Sequence, residues 1–306
     1  MRRTPITLAA LAALTLALAL GACADDEVAG DTPLSSTTEH AGHGGDAPAA
    51  FRLDVKVPGG DREYAFEPSV TTIEEGPVEV VLENLGAEEH QAMVLRLDDG
   101  VDLASFAAQA ASDPTGTAAL ALVEGFGGPN GAGPGKTVSS TQYLVPGNYL
   151  LLCFLPGADG APHASKGMVS PFTVTPKAGG AAADQDDGTG ADVTLLDFAF
   201  DVPGKLPAGD TLVVTNEGGQ AHEVGIARLA DGQTADEAIQ AFLEPASGAT
   251  PPELDSGLGL VAPGRTVRMV LPEEPGDYVF FCMVPDTVGD GKPHVMKGMV
   301  REVSLS

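Results

Sequence analysis

The sequence predicts an all-β chain built as two tandem β-sandwiches, each with one short helical insert. Three observations predict it. Gly (39) and Pro (24) are plentiful while aromatic residues make up only 5%, which favours short strands and turns over long helices. Alternating apolar runs recur with the period of half-buried strands. And residues 51–175 match residues 191–306 segment by segment in the same order.

The matching elements run as follows. Each copy opens with an aromatic-x-Phe strand, Tyr64-Ala65-Phe66 and Phe198-Ala199-Phe200. Alternating strands VEVVLEN (78–84) and DTLVVTN (210–216) come next. Seven residues from Asn to His follow in both, NLGAEEH (84–90) and NEGGQAH (216–222). The helical insert is signalled in the second copy by Thr234 and Glu237, spaced as a capping box, with Ala238, Ile239, Phe242 and Leu243 on one face. In the first copy the alanine-rich stretch from Asp102 to Ser112 takes that place. Gly-Lys-Thr-Val (135–138) and Gly-Arg-Thr-Val (264–267) start a strand, and PGNYLLLC and PGDYVFFC give the next. The last strands are MVSPFTV and MVREVSL.

The N-terminal residues read as export machinery. Arg2 and Arg3 precede an apolar run from Ile6 to Leu20, the length of a signal-peptide core and short for a membrane span. The run ends in Leu20-Gly21-Ala22-Cys23, which resembles a bacterial lipobox, so residues 1–22 are expected to be a lipoprotein signal peptide and Cys23 the lipidated mature terminus. A plain secretory signal cleaved near Ala22 is the alternative. Residues 23–50 are small, polar and aperiodic, a flexible tether in which His40 and His43 read as spacer residues. A second linker spans 176–190, between sandwiches at 51–175 and 191–306. The expected location is lipid-anchored on the extracytoplasmic, periplasmic face of the cell membrane.

The formal net charge of −27 is spread through both copies. Such a surface repels phosphate backbones and excludes nucleic acid as a partner. Gly-Pro-Gly-Lys-Thr (133–137) lacks the spacing of a phosphate loop.

The chemistry lies in residues 153–168, CFLPGADGAPHASKGM, and 282–299, CMVPDTVGDGKPHVMKGM. Both end in Pro-His-x-x-Lys-Gly-Met, with five positions from His to Met. Upstream, a histidine closes the Asn-to-His segment, 63 residues before the cysteine in one copy and 60 in the other. The candidate metal ligands are therefore His90, Cys153, His163 and Met168, and His222, Cys282, His294 and Met299. Taken one at a time, each has a bland explanation: a surface or core histidine, a packed methionine, an inert thiol. Taken together, four of the chain's six histidines fall at matching positions. Two imidazoles, a thiolate and a thioether suit copper in a type 1 site, whereas zinc prefers four strong ligands. Of three cysteines, Cys23 is assigned to lipid. A disulfide between Cys153 and Cys282 would require both to leave their own loops. Two copper ions, one per repeat, are the expected cofactors.

Each repeat resembles the cupredoxins, the plastocyanin–azurin family of blue copper proteins, over nearly its whole length. The resemblance rests on the Pro-His-x-x-x-Gly-Met ending and the strand Cys before it. It implies a Greek-key sandwich, a type 1 copper site and one-electron exchange with redox partner proteins. Two features depart from the plastocyanin pattern. Nine residues separate Cys153 from His163 and eleven separate Cys282 from His294. Gln91 and Glu223 stand where plastocyanins usually carry an Asn. Leu152 and Phe154 flank Cys153, and Phe281 and Met283 flank Cys282, so no histidine beside either cysteine wires in a second copper centre. The chain is expected to be an electron carrier and not an enzyme. Copper sequestration or delivery without redox cycling is the alternative. Lys166 and Lys297 are placed at the rim of each site, or simply in solvent.

Overall fold

The computed structural model describes residues 50–112, 117–178, 192–244 and 252–306. The expected signal peptide, Cys23, His40, His43 and nearly all of the 176–190 linker lie outside them. The first repeat comprises β1 (Phe51–Val57), β2 (Glu67–Pro68), β3 (Thr72–Glu74), β4 (Gly76–Asn84), β5 (Met93–Leu97), α1 (Leu103–Ser112), α2 (Thr117–Leu120), β6 (Val123–Gly125), β7 (Thr137–Leu144), β8 (Gly147–Leu152) and β9 (Val169–Thr175). The second comprises β10 (Val193–Leu196), β11 (Ala199–Asp201), β12 (Lys205–Leu206), β13 (Thr211–Asn216), β14 (His222–Arg228), α3 (Ala235–Leu243), β15 (Leu254–Val261), β16 (Thr266–Val270), β17 (Gly276–Phe281) and β18 (Val300–Leu305). Among the described residues no helix is long and apolar enough to cross a membrane.

The chain is all-β, with its strands in three sheets. One five-stranded sheet, β3-β9-β8-β5-β6, belongs to the first repeat, and another, β12-β18-β17-β14-β15, to the second. The third has eight strands, β11-β10-β13-β16-β7-β4-β1-β2, and takes half from each repeat. Each sandwich is thus one five-stranded sheet packed on half of the shared sheet. The alternation in β4 explains the packing: Val78, Val80 and Leu82 are fully buried between the layers, while Glu79 and Glu83 turn outward. Burial of such side chains is worth roughly 1.5–3 kcal/mol each.

The two halves meet along β7 and β16, which pair antiparallel with Val267 opposite Gln142 and Met269 opposite Ser140. The segment after β6 adds a second seam. Gly127 N–H donates to Leu260 O (2.8 Å) and Gly259 N–H to Gly128 O (2.8 Å). Arg265 of the second repeat pairs with Glu124 at 2.6 Å and lies over the Phe126 ring at 3.4 Å. One apolar core runs across this junction, joining Met93, Leu95 and Leu152 to Leu258, Leu260 and Phe280.

Helix α3 starts with the capping box that Thr234 and Glu237 announce, and Ala238 and Ile239 are buried beneath it. The aromatic-x-Phe motif behaves differently in the two copies. Phe200 lies within β11, but Tyr64, Ala65 and Phe66 belong to the turn that precedes β2. That turn places the Tyr64 ring 4.9 Å from the ring of His163, so the motif's common role is to set an aromatic beside the site.

Candidate metal centres

Each centre is assembled from two places in one sandwich. The first is the loop between β4 and β5, or β13 and β14. Asn84 braces it: Nδ2 donates to Glu88 O (2.7 Å) and Ala132 O (2.8 Å), and Oδ1 accepts from Gly86 N–H (2.8 Å). Asn216 makes the same three bonds to Gln220 O, Val261 O and Gly218 N–H. An Asx turn with a buried side chain fixes the upstream histidine at the loop's end.

The second place is the loop leaving the Cys-bearing strand. A single 3₁₀ turn spans His163–Lys166 and His294–Lys297, closed by Gly167 (φ 103°) and Gly298 (φ 105°). Left-handed backbone there explains the Gly of each Lys-Gly-Met. Cys153 N–H then donates to Met168 O (3.3 Å), and Ala164 N–H to Cys153 O (2.8 Å), with the same pattern at Cys282, Met299 and Val295. The long spacing from Cys to His is absorbed without stretching this loop. Pro156 bridges to Pro162, and Pro285 to Pro293, so the extra residues project as a small hairpin pinned at its base. His163 N–H donates to Leu155 O and His294 N–H to Val284 O, both at 2.9 Å, holding each histidine against its cysteine strand.

The result is two buried clusters, His90–Cys153–His163 and His222–Cys282–His294, with ligand atoms within 4.8 Å of one another in each. His90 Nδ1 and His163 Nδ1 stand 3.1 Å apart, and His163 Nδ1 lies 3.4 Å from Cys153 Sγ. In the second cluster His222 Nδ1 and His294 Nδ1 are 3.0 Å apart, with Cys282 Sγ 3.5 Å from His294 Nδ1. Both thiols are free, and each accepts a 3.5 Å contact from the next backbone N–H after the upstream histidine, Gln91 or Glu223. Met168 and Met299 are fully buried, tied to the same loops through their backbones.

Carboxylates hold the far edges of the rings, and these are the residues that the sequence reading missed. Glu63 Oε1 is 3.1 Å from His90 Nε2, Glu88 Oε2 is 3.0 Å from His163 Nε2, and Asp197 Oδ1 is 3.0 Å from His222 Nε2. They place the ring protons on Nε2 and leave the Nδ1 lone pairs converging. The signal was present: an acid precedes the aromatic-x-Phe motif in both copies, Glu63 before Tyr64 and Asp197 before Phe198. His294 is the exception, since its buried Nε2 has no hydrogen-bond partner.

Burial dominates the titration of these groups. It pushes the Cys153 thiol up to about 12 and the Cys282 thiol higher still, and lowers all four imidazoles, His294 to about 4. At neutral pH the rings are therefore neutral, with facing lone pairs about 3 Å apart beside a sulfur. Lone pairs so placed repel, and a cation between them removes the conflict. Two nitrogens and a sulfur, with a methionine in the same loop, form a donor set for copper, and the two clusters fit two copper ions.

Each half is a β-sandwich that encloses one His–Cys–His cluster. No family model matches the chain and no curated protein is significantly similar to it. Among solved structures, an auracyanin from Roseiflexus castenholzii is 22% identical over 38% of this chain and 99% of its own, with a TM-score of 0.24. Auracyanin A from Chloroflexus aurantiacus, a blue copper protein, is 19% identical over 37% and 98% (TM-score 0.24). A copper nitrite reductase from Nitrosomonas europaea is 13% identical over 84% and 94% (TM-score 0.25). TM-scores this low lend no weight to a functional reading, which rests on the site itself.

The two lysines of the Lys-Gly-Met endings are engaged and not simply solvated. Lys166 donates to Tyr64 Oη (3.2 Å), pairs with Asp159 (2.8 Å) and lies over the Tyr64 ring. Lys297 pairs with Asp286 and with Asp290 (3.0 Å) and lies over Phe198.

Proposed function

We propose that the chain is a one-electron carrier with two type 1 copper sites, tethered through lipidated Cys23 to the extracytoplasmic face of the cell membrane. The observation that supports it most is the pair of complete, separately built His–Cys–His clusters, each fully enclosed in its own sandwich. Bound there, copper supplies a one-electron Cu(II)/Cu(I) couple. Cys153 Sγ and the Nδ1 atoms of His90 and His163 would hold one ion, and Cys282, His222 and His294 the other, with the thioethers of Met168 and Met299 as candidate further donors. The chain's own task is rigidity. Glu63, Glu88 and Asp197 fix ring orientation, the asparagine braces fix the upstream loops, and burial keeps water from the metal-facing atoms. A site held this firmly changes little between oxidation states, which suits electron transfer.

The carrier reading is also favoured over an enzymatic one by histidine supply. Both clusters use all four histidines of the described residues, and His40 and His43 fall in the expected tether. The test is an absorption spectrum of the soluble part after Cu(II) addition, followed by voltammetry. An intense thiolate-to-copper band with a reversible one-electron response is expected at each site. Tight copper binding without reversible redox would overturn the carrier in favour of copper sequestration. Absence of the band would overturn the type 1 assignment.

A further inference from the structure

A cavity of about 790 Å³ lies between the two repeats. Met93, Ala110 and Leu152 of the first repeat and Leu260 and Phe281 of the second contribute to its wall. Exposed Gly160 and Ser165 also line it, so it opens to solvent, while its inner wall belongs to the continuous core. Its volume falls within the roughly 300–1,000 Å³ of small-molecule sites, which also favour junctions between domains.

One polar group distinguishes the cavity from a mere packing fault. Asn130 lines it and is 3% exposed, and its side-chain Oδ1 has no hydrogen-bond partner. The surrounding backbone is satisfied: Asn130 N–H donates to Gly257 O (3.2 Å) and Ala92 N–H to Pro129 O (2.8 Å). A buried amide oxygen without a donor is costly and rare, and Asn130 Oδ1 finds none in a wall that is mostly apolar, with Gln91 and Glu223 among its polar members. We infer that this cavity binds a small, largely apolar molecule carrying one hydrogen-bond donor, of the phenol class, whose O–H donates to Asn130 Oδ1. The site contains no metal-ligand residue but adjoins both clusters, since Gln91, Leu152, Phe154, Glu223, Phe281 and Met283 beside their ligands also line it.

The probe is 1-naphthol, with naphthalene as the donor-free comparison, titrated into the full chain by fluorescence without copper and again with it. Omitting copper keeps the result independent of the metal reading. Saturable binding at one naphthol per chain is expected, with naphthalene about tenfold weaker, the factor that one hydrogen bond of ordinary net strength supplies. Asn130→Ala should reduce that ratio to about one. Ala110→Phe, which fills the space from α1, should abolish binding of both, and Ala107→Phe on the same wall provides an independent filling change should the first fail to fold. The inference is overturned if neither probe saturates, if binding survives filling, or if naphthol and naphthalene bind equally to the unaltered chain.

Discussion

Glu88→Gln tests whether the carboxylates behind the histidines matter to the metal. In the structure one Glu88 oxygen accepts from Tyr64 Oη at 2.7 Å and the other lies 3.0 Å from His163 Nε2. The Tyr64 hydrogen bond is the main reason why its carboxyl sits below the usual range. Glutamine keeps the shape and removes the charge, replacing a charge-assisted hydrogen bond of roughly 1.5–3 kcal/mol by a neutral one of roughly 0.5–1.5. Loss of such a partner typically lowers metal affinity about 10- to 100-fold. The Glu88 side chain is 30% exposed, so solvent screening favours the lower end, about tenfold or ~1.4 kcal/mol. The assay is copper competition against a chromophoric chelator in a Cys282→Ser background, so that only the first site is read. Affinity unchanged within about twofold would refute the role given to Glu88. A loss beyond about a thousandfold would refute it too, by making Glu88 a direct ligand.

Cys153→Ser and Cys282→Ser should each remove one copper and about half of the charge-transfer absorbance, and the double change all of it, because the sites share no ligand. Total bleaching by either single change, seen in metal analysis and absorption, would contradict separate sites. Cys23→Ala should leave the precursor unprocessed or release the protein from membranes; membrane fractionation with normal processing would defeat the lipid anchor. Gly128 has φ 96°, and a Cβ there would lie 2.2 Å from Ala92 O, so Gly128→Ala should cost on the order of 3 kcal/mol in thermal unfolding. Gly135→Ala, at φ 73° but in open space, should cost about 1 kcal/mol; equal costs would mean that the close approach of Gly128 to Ala92 is unimportant. Finally, a redox titration should resolve two midpoints, since His163 has a carboxylate partner and His294 has none. A single wave for both coppers would contradict that difference.

Much of the architecture was legible because it depends on period and spacing. VEVVLEN and DTLVVTN alternate as strands must, and Thr234 with Glu237 spells out a helix start whose bonds form as expected. The two histidines and the cysteine of each set also meet as their matched spacing suggests. What was hidden depends on tertiary contact. The shared eight-stranded sheet arises where β7 and β16 pair through backbone groups, and backbone pairing leaves no residue signature. The hairpin between Pro156 and Pro162 was hidden for a different reason. Counted along the chain it lengthens the Cys-to-His loop, while in space it leaves that loop as short as before. The carboxylates were overlooked because Glu63 and Asp197 lie 27 and 25 residues from the histidines they hold, in a chain where acids are common everywhere.

Duplication has given this chain two centres of one design with different surroundings. In the first, Tyr64, Glu88 and Lys166 form a hydrogen-bonded chain that ends on His163. In the second, Phe198 replaces Tyr64 and cannot donate, and Gln220, at the place of Glu88, is turned to Thr287. The placement of acids differs as well. Glu223 sits beside Cys282, its Oε1 accepting from Met283 N–H at 2.9 Å, and burial pushes its carboxyl to about 7, whereas the first repeat has neutral Gln91 there. The first site therefore has a carboxylate at the edge of each histidine, and the second has one at His222 only, with a further acidic side chain beside the sulfur. Because β7 and β16 fuse the sandwiches into one sheet, two such unlike sites stand at a separation set by the fold and not by a linker. A flexible tandem of identical carriers would only double capacity. In the proposed carrier role, a fused pair of unlike sites would give an electron a preferred residence within one molecule.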